Sequence, residues 1–463
     1  MKRLPIRGGN WNNGASAGVF ALNLNNDRGN ANTNIGARPA LGDRQTRRAY
    51  RACRQNTPQK DAPSSASARV CSRARRRNIQ QAGHSSSAAA RPFGPAALRG
   101  ATDPLMAKTY NNLFPRIYDF EALHAAYLRA RAGKRDRQEV QHFEMDLEGN
   151  LIALQNELIW GQYRSGTYRT FMVHEPKARM VAALPFRDRV VQHALVAVVE
   201  PLWESRFIAD SYACRPGRGT HRGADRAEAM LRQVKREHGR VAVLKADIAK
   251  YFQSIDHAVL KRLLAKRIAC RPTLALLGQI IDSANVLHGT PGTGLPIGNL
   301  TSQLAANIYL HEMDEFVKHG LRERHYVRYM DDFIIVHHDK AHLQRRRVQI
   351  EAFLAQHLRL KTNSKTQVFP VAVVRGRALD FLGYRIWPTH RRLRKSSISR
   401  ITRTLKRLQR HYAEGRATRS RVLQSIQSWI AHALHADAAG LRRHILGKFR
   451  FRRAAPPAPK DQP

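Results

Sequence analysis

Three carboxylates frame the chemistry open to this chain. Asp331 and Asp332 are adjacent in Tyr329-Met330-Asp331-Asp332, between the apolar runs Tyr326-Val327 and Phe333 to Val336. Neighbouring carboxylates repel, and Asp in a bend is ordinarily a turn residue bonded to its own backbone. The apolar flanks argue for more, because they place two acids at the tip of a buried hairpin. A divalent cation there would offset the repulsion. Asp247 ends the β-rich run VAVLKA at 241–246, and by itself it reads as a helix cap. Together the three acids make a set suited to two Mg²⁺ ions about 3.5–4 Å apart. Such a pair clamps an attacking 3′-hydroxyl and a leaving pyrophosphate during in-line displacement. The carboxylates must then come from separate strands that converge at one end of a sheet.

The surrounding pattern supplies such elements. Residues 326–336 read as a tight hairpin with Asp331-Asp332 at its bend. Residues 168–174 and 179–184 read as short strands joined at Glu175-Pro176-Lys177, and 379–387 as another strand-like run. Helical spacing predicts helices over 119–131, 143–160, 187–203, 256–267 (capped by Asp256) and about 300–319, the last stopped by Gly320. Four Gly and two Pro within 289–298 (GTPGTGLPIG) require a loop. Further on, Ile398, Ile401, Leu405, Leu408 and Tyr412 make one apolar helical stripe, and Val422, Ile426, Trp429, Ile430 and Leu434 suggest a second helix.

Charge narrows the partner. Eighty Lys+Arg against 35 Asp+Glu give the 463 residues a formal net charge of +45. So basic a chain repels itself unless an anion binds it, and nucleic acid is the usual one, because each neutralised phosphate releases counterions. Residues 391–453 hold 18 Lys+Arg and two acids. A solvated face normally mixes signs, so this basic helical unit suits a duplex backbone. The sequence has no transmembrane run, and its opening, MKRLPIRGGNW, lacks the apolar core of a signal peptide. A membrane role is not expected. Cys53, Cys71, Cys214 and Cys270 are scattered, without zinc-like spacing, which fits a reduced cytoplasm. The first 105 residues hold no Glu, four Asp and 18 Lys+Arg, and nine of positions 10–34 are Asn. That composition reads as a disordered basic extension.

Several ordered blocks resemble the motifs of reverse transcriptases: PKARMVAALPFRDRVVQHAL (176–195), DIAKYFQSIDH (247–257), GLPIGNLTSQLAANIYL (294–310), YVRYMDDFIIV (326–336), LKTNSKTQVF (360–369) and LDFLGYRIW (379–387). The resemblance covers roughly 106–450. It implies an α+β right-hand polymerase: an N-terminal helical and fingers region at 106–176, fingers and an antiparallel-sheet palm at 177–390, a basic helical thumb at 391–453 and a flexible tail at 454–463. It implies catalysis by Asp247, Asp331 and Asp332, with Ile248 among the metal ligands and Mg²⁺ as the ion, Mn²⁺ being a substitute. Lys177, Arg179, Phe252, Pro296, Gly298, Gln303 and Lys365 would bind the nucleotide, with Phe252 against the sugar 2′-position to exclude ribonucleotides. Arg400, Arg403, Lys406, Arg407 and Arg410 would grip nucleic acid. An RNA template, a DNA or RNA primer and dNTPs follow as partners.

Within the family, many members read Pro-Gln-Gly and Ser-Pro in the 294–310 block. Here Ile297 and Gln303 stand instead, and IGNLTSQ is similar to the diversity-generating retroelement branch. Residues 106–135 also look like the N-terminus of that branch. Residues 7–41 resemble the end of a lectin-like variable protein, which implies that 1–105 are translated template repeat and spacer, with Met106 the functional start. A small accessory retroelement protein would then be a further partner. The rival readings are a group II intron, retron-type or defence-associated reverse transcriptase, an RNA-copying RNA polymerase, and a non-catalytic RNA-binding protein. Phe252 opposes the RNA polymerase, and the intact acidic set opposes the idle binder.

Overall fold

Alternation and β-branching build a central sheet whose strands bury both faces. In the computed structural model, which describes residues 108–174, 178–285 and 290–453, the sheet has the order β4-β5-β3-β6. Its strands are β3 (Ala242–Asp247), β4 (Tyr326–Tyr329), β5 (Asp332–His337) and β6 (Gln367–Pro370). All pairings are antiparallel. Val243, Ile334 and Ile335 are fully buried, as expected for strands covered on two sides. The expected disorder of 1–105, the tail at 454–463 and Lys177 lie outside the described residues.

Helices cover the sheet. Before it come α1 (Pro115–Tyr118), α2 (Phe120–Ala130), α3 (Gln138–Met145), α4 (Leu147–Ile159), the two-stranded β1–β2 arm (Arg169–Val173 and Arg179–Ala183), α5 (Phe186–Glu204) and α6 (Thr220–His238). The expected helix over 143–160 is broken. Asp146 leaves helical geometry at φ −135° and caps the Gly149 amide, so α4 starts afresh. α6 carries an amphipathic pattern that the sequence reading passed over; it buries Ala224, Ala227, Met230, Leu231 and Val234.

Between β3 and β4 lie α7 (Tyr251–Ser254), α8 (His257–Ala265), α9 (Arg271–Asp282) and α10 (Leu300–Glu315), which runs on into a π-turn at Phe316–Gly320. Asp256 caps α8 through the Val259 amide, as expected. After β5 comes α11 (Lys340–Leu358). The run at 379–387 is a hairpin rather than one strand: β7 (Leu379–Phe381) and β8 (Tyr384–Ile386) flank Leu382 and Gly383, both at positive φ (49° and 88°). That geometry fits a two-residue turn matching strand twist. With β9 (Arg391–Leu393) they form a separate sheet.

The C-terminal unit is α12 (Lys395–Ala413), α13 (Arg419–Ala433) and α14 (Ala439–Gly447). Ile401, Leu405 and Leu408 of the expected stripe are buried, and Arg403, Lys406, Arg407 and Arg410 are exposed on the other faces. This unit meets α6 and β8 at a histidine cluster. The Tyr384 hydroxyl lies 2.8 Å from His221 Nδ1 and 3.0 Å from His432 Nδ1, and the His221 and His435 rings stack at 3.8 Å. Among the described residues, no helix is long and apolar enough to cross a membrane.

Candidate active site

The register of the central sheet decides which side chains meet. Antiparallel pairing sets Asp247, the last residue of β3, opposite Asp332, the first of β5. On the other side Tyr329 pairs with Asp332, so Met330 and Asp331 form the two-residue turn of the β4–β5 hairpin. The three acids are thus gathered at one sheet end by backbone pairing. Met330 holds φ at 56°, a left-handed conformation that costs a non-glycine residue about 1–2 kcal/mol.

A buried network supports this strained turn. Arg328 and Asp314 are both fully buried. Arg328 donates from Nε to Asp314 Oδ1 at 2.7 Å and from Nη2 to Oδ2 at 2.6 Å. Its Nη1 donates to Asn307 Oδ1 at 3.2 Å and to the Met330 carbonyl at 3.0 Å. The Tyr326 hydroxyl donates to Asp314 as well, at 2.7 Å. One guanidinium therefore ties the turn to α10. The sequence reading missed Arg328, Asp314 and Asn307. The available signal was a charge inside the apolar run YVRYM, which needs a buried partner.

The electrostatics of the acids are strained too. Burial raises the Asp331 carboxyl to about 7, the charge of Asp247 adds to this, and Arg179 works against it. Burial likewise raises Asp332 to about 6, opposed by Lys245 and assisted by Asp247. The Asp332 side chain keeps 28% of its surface open. Lys245 Nζ lies 3.4 Å from Asp332 Oδ2 and donates to the Asp380 carbonyl at 2.6 Å. Asp332 Oδ1 is buried without a hydrogen-bond partner.

These features fit a divalent cation. Like charges crowd one another, one carboxylate oxygen is orphaned, and the donors are the hard oxygens that Mg²⁺ and Mn²⁺ take. Ile248 fits the same set. Residues 361–363 are strapped across 247–249 through the Asn363 amide to the Asp247 carbonyl (2.6 Å) and the Ala249 amide to the Lys361 carbonyl (2.9 Å). The intervening Ile248 carbonyl stands outside that ladder. Among the described residues, no three His, Cys, Asp or Glu side chains are drawn into a closed ligand cluster; the convergence is one of backbone positions.

The other expected residues fall around this point with different closeness. Arg179 starts β2 opposite Val173, and its charge reaches Asp331. Phe252 is buried in α7, edge-on to Tyr251 at 5.3 Å, and its carbonyl accepts from the Leu295 amide at 2.7 Å. That bond fixes the 290–298 loop beside α7. The loop's other end docks on β2, where the Ala182 amide donates to the Ile297 carbonyl at 2.9 Å. Gly298 has φ 134°, and a Cβ there would lie 2.6 Å from the Ala182 carbonyl oxygen, so only glycine fits. Pro296 borders an apolar cavity behind this loop. Gln303 is half-buried near the start of α10, and Lys365 is exposed beyond the strap. Arg400 is half-buried on α12.

Residues 173–386 match the family model described as "Reverse transcriptase (RNA-dependent DNA polymerase)". The matched segment, 214 of the 463 residues, takes in Asp247, Asp331 and Asp332. It is 28% identical over 274 residues to Protein YkfC of Escherichia coli (strain K12), covering 51% of this chain and 71% of that protein. Over 145 residues it is 31% identical to the group II intron-encoded protein LtrA of Lactococcus lactis subsp. cremoris, covering 30% of this chain and 23% of LtrA. It is also similar to the nuclear intron maturase 2, mitochondrial, of Arabidopsis thaliana, 28% identical over 163 residues, 31% of this chain and 21% of the maturase. Among solved structures, the apo telomerase from Candida tropicalis aligns with a TM-score of 0.41 at 12% identity, covering 61% of this chain and 56% of that one.

Proposed function

We propose that this chain copies an RNA template into cDNA, with Asp247, Asp331, Asp332 and the Ile248 carbonyl holding two Mg²⁺ ions. The observation that carries the proposal is the sheet register, which sets Asp247 opposite Asp332 with Asp331 in the adjoining turn. When bound, the cations supply the charge that activates the primer 3′-hydroxyl and stabilises the leaving pyrophosphate. The chain's own residues do the rest. Arg179, on the arm that forms the fingers, and Lys177 hold the triphosphate; Arg suits a bidentate phosphate contact. Lys365 lies toward the pyrophosphate. Phe252 abuts the sugar and rejects a 2′-hydroxyl by its bulk. Pro296, Gly298 and Gln303 shape the nucleotide pocket, in which Gly298 lets the loop press against β2. The central sheet is the palm and α12 to α14 the thumb. There Arg400, Arg403, Lys406, Arg407 and Arg410 follow the phosphates of the template–primer duplex.

We assign the chain to a diversity-generating retroelement on the strength of GLPIGNLTSQL at 294–304 and the Asn-rich segment at 7–41. The likeness to LtrA favours a second reading, a group II intron-type enzyme. Measuring dNTP incorporation on a primed RNA template with Mg²⁺ tests the polymerase; no incorporation under any metal condition would refute it. Sequencing the cDNA separates the two branches, since errors concentrated opposite adenine belong to the first alone. Deleting residues 1–105 should leave extension intact if Met106 is the functional start, and loss of activity would sink that assignment.

A further inference from the structure

The end of the central sheet remote from the acids carries a second feature that the polymerase reading does not use. β5 leaves Asp332 and reaches His337 five residues on, about 17 Å away at strand spacing. There a cavity of about 520 Å³ opens between the end of α6, the segment after the π-turn, the end of β5 and the first turns of α11. Four imidazoles form a staircase along it. His238 and His338 stack with centroids 3.9 Å apart, His338 and His337 at 4.3 Å, and His337 and His342 at 4.1 Å, all within 30° of parallel. Burial and neighbouring imidazoles lower the proton affinity of His337 and His338, the two inner rings of the stack, so the staircase is neutral at its centre and presents the outer faces of His238 and His342.

Cations border the rings. Arg322, Arg324 and Arg346 line the cavity, against Glu237 and Glu323. Glu323 is already engaged, accepting from Arg346 Nε at 2.6 Å and lying 2.7 Å from His342 Nε2. Glu237 accepts from Gln233 at 2.8 Å. Arg322 and Arg324 are exposed and form no ion pair among the described residues. The backbone that presents them is unusual twice over. α10 ends in the π-turn at Phe316–Gly320, and Arg322 sits at φ 55°. π-turns are rare and recur at functional sites, and a left-handed arginine stores strain of about 1–2 kcal/mol.

We propose that this cavity binds a nucleotide of single-stranded RNA outside the catalytic centre, its base stacked on the histidine staircase and its phosphates held by Arg322 and Arg324. Ring faces and guanidinium groups are the pair of features that single-stranded recognition uses, and the volume suits a single nucleotide. The distance from Asp332 separates this nucleotide from the template base being copied. The choice of RNA over DNA rests on the polymerase reading; the pocket itself does not.

The test uses the full chain and a mixed-sequence 20-nucleotide RNA carrying 4-thiouridine. Photocrosslinking of the unmodified protein, followed by peptide mapping, should place adducts within 237–238, 322–325 or 337–342. By fluorescence anisotropy, H238A/H338A should weaken RNA binding about tenfold, the value of one stacked base, with an unchanged melting temperature. Extension of a short pre-annealed primer–template, which reports the catalytic site separately, should stay at the wild-type rate. Crosslinks confined to other peptides, or wild-type affinity in the double variant, would overturn the proposal. Complete displacement of the RNA by millimolar inorganic phosphate would overturn it in favour of a small-anion site, and equal affinity for a DNA strand would overturn the assignment to RNA.

Discussion

Arg328 offers a way to separate holding the fold together from aiming the acids. It and Asp314 are wholly buried, and the same guanidinium donates to the Met330 carbonyl. R328M strands the Asp314 carboxylate in the interior, and breaking a buried pair from one side costs about 3–5 kcal/mol. That is a large part of the roughly 5–15 kcal/mol that holds a domain together. Replacing the whole constellation, as R328M/D314L/Y326F, leaves no uncompensated charge and no orphaned Tyr326 hydroxyl, so most of that stability should return. The turn, however, still lacks its anchor. A hydrogen bond from a charged donor is worth about 1.5–3 kcal/mol. If that energy goes into holding the Met330–Asp331 turn, its loss lowers kcat about ten- to hundredfold. Thermal melting and steady-state primer extension measure the two quantities on the same preparations. A triple variant that regains both its melting temperature and wild-type kcat would refute the positioning role.

Three further outcomes follow from the geometry. G298A should raise the KM for dNTP at least tenfold with a smaller effect on kcat, because a Cβ 2.6 Å from the Ala182 carbonyl must push the loop off β2; steady-state kinetics at varied dNTP check this. F252V should relax sugar selectivity, raising ribonucleotide incorporation relative to dNTP about tenfold or more in a competition assay, and unchanged selectivity would remove Phe252 from the pocket. The docking of the C-terminal helices should weaken in acid. Burial, then the neighbouring charges of His435, Arg400 and Arg391, lower His432 to about 4, and burial with His435 and His432 lowers His221 to about 3. Folded values below the ordinary 6.5 mean that this stability is complete above about pH 6.5 and is lost as the pH falls toward 4. At pH 5 His432 alone contributes a loss of about 2 kcal/mol. Amide protection factors in α13, corrected for the intrinsic exchange rate at each pH, should fall between pH 7.5 and 5, and H432F should flatten that dependence.

How much of this was legible in the sequence depended on whether the deciding contacts were local. The Asp256 cap and the stripe of α12 are short-range patterns and stand where spacing put them, and the β4–β5 hairpin forms as expected except that it turns one residue earlier, at Met330-Asp331, with Asp332 already in β5. Asp146 broke an expected helix because a capping bond competes locally with apolar periodicity. Leu382-Gly383 split an expected strand because positive φ at a leucine leaves little trace in composition. In the candidate site, the acids were readable from their types and order. What brings them together is a strand register linking residues 85 positions apart (247 and 332), which periodicity alone does not reveal. Arg328, buried, and Lys245, half-buried, were hidden for a related reason: a cation set in an apolar strand declares its role only through its partner, Asp314 or Asp332.

The central claim is that the acids at the sheet end carry the chemistry. The most direct measurement is primer extension on an RNA template with Mg²⁺, comparing wild type with D331N/D332N, each shown by circular dichroism and melting to be folded. The substitution removes two charges that burial and Asp247 already disfavour, so the variant should fold at least as stably while incorporation falls below about a thousandth of the wild-type rate, a loss of some 4 kcal/mol of transition-state stabilisation. Equal incorporation by the two proteins would contradict the account.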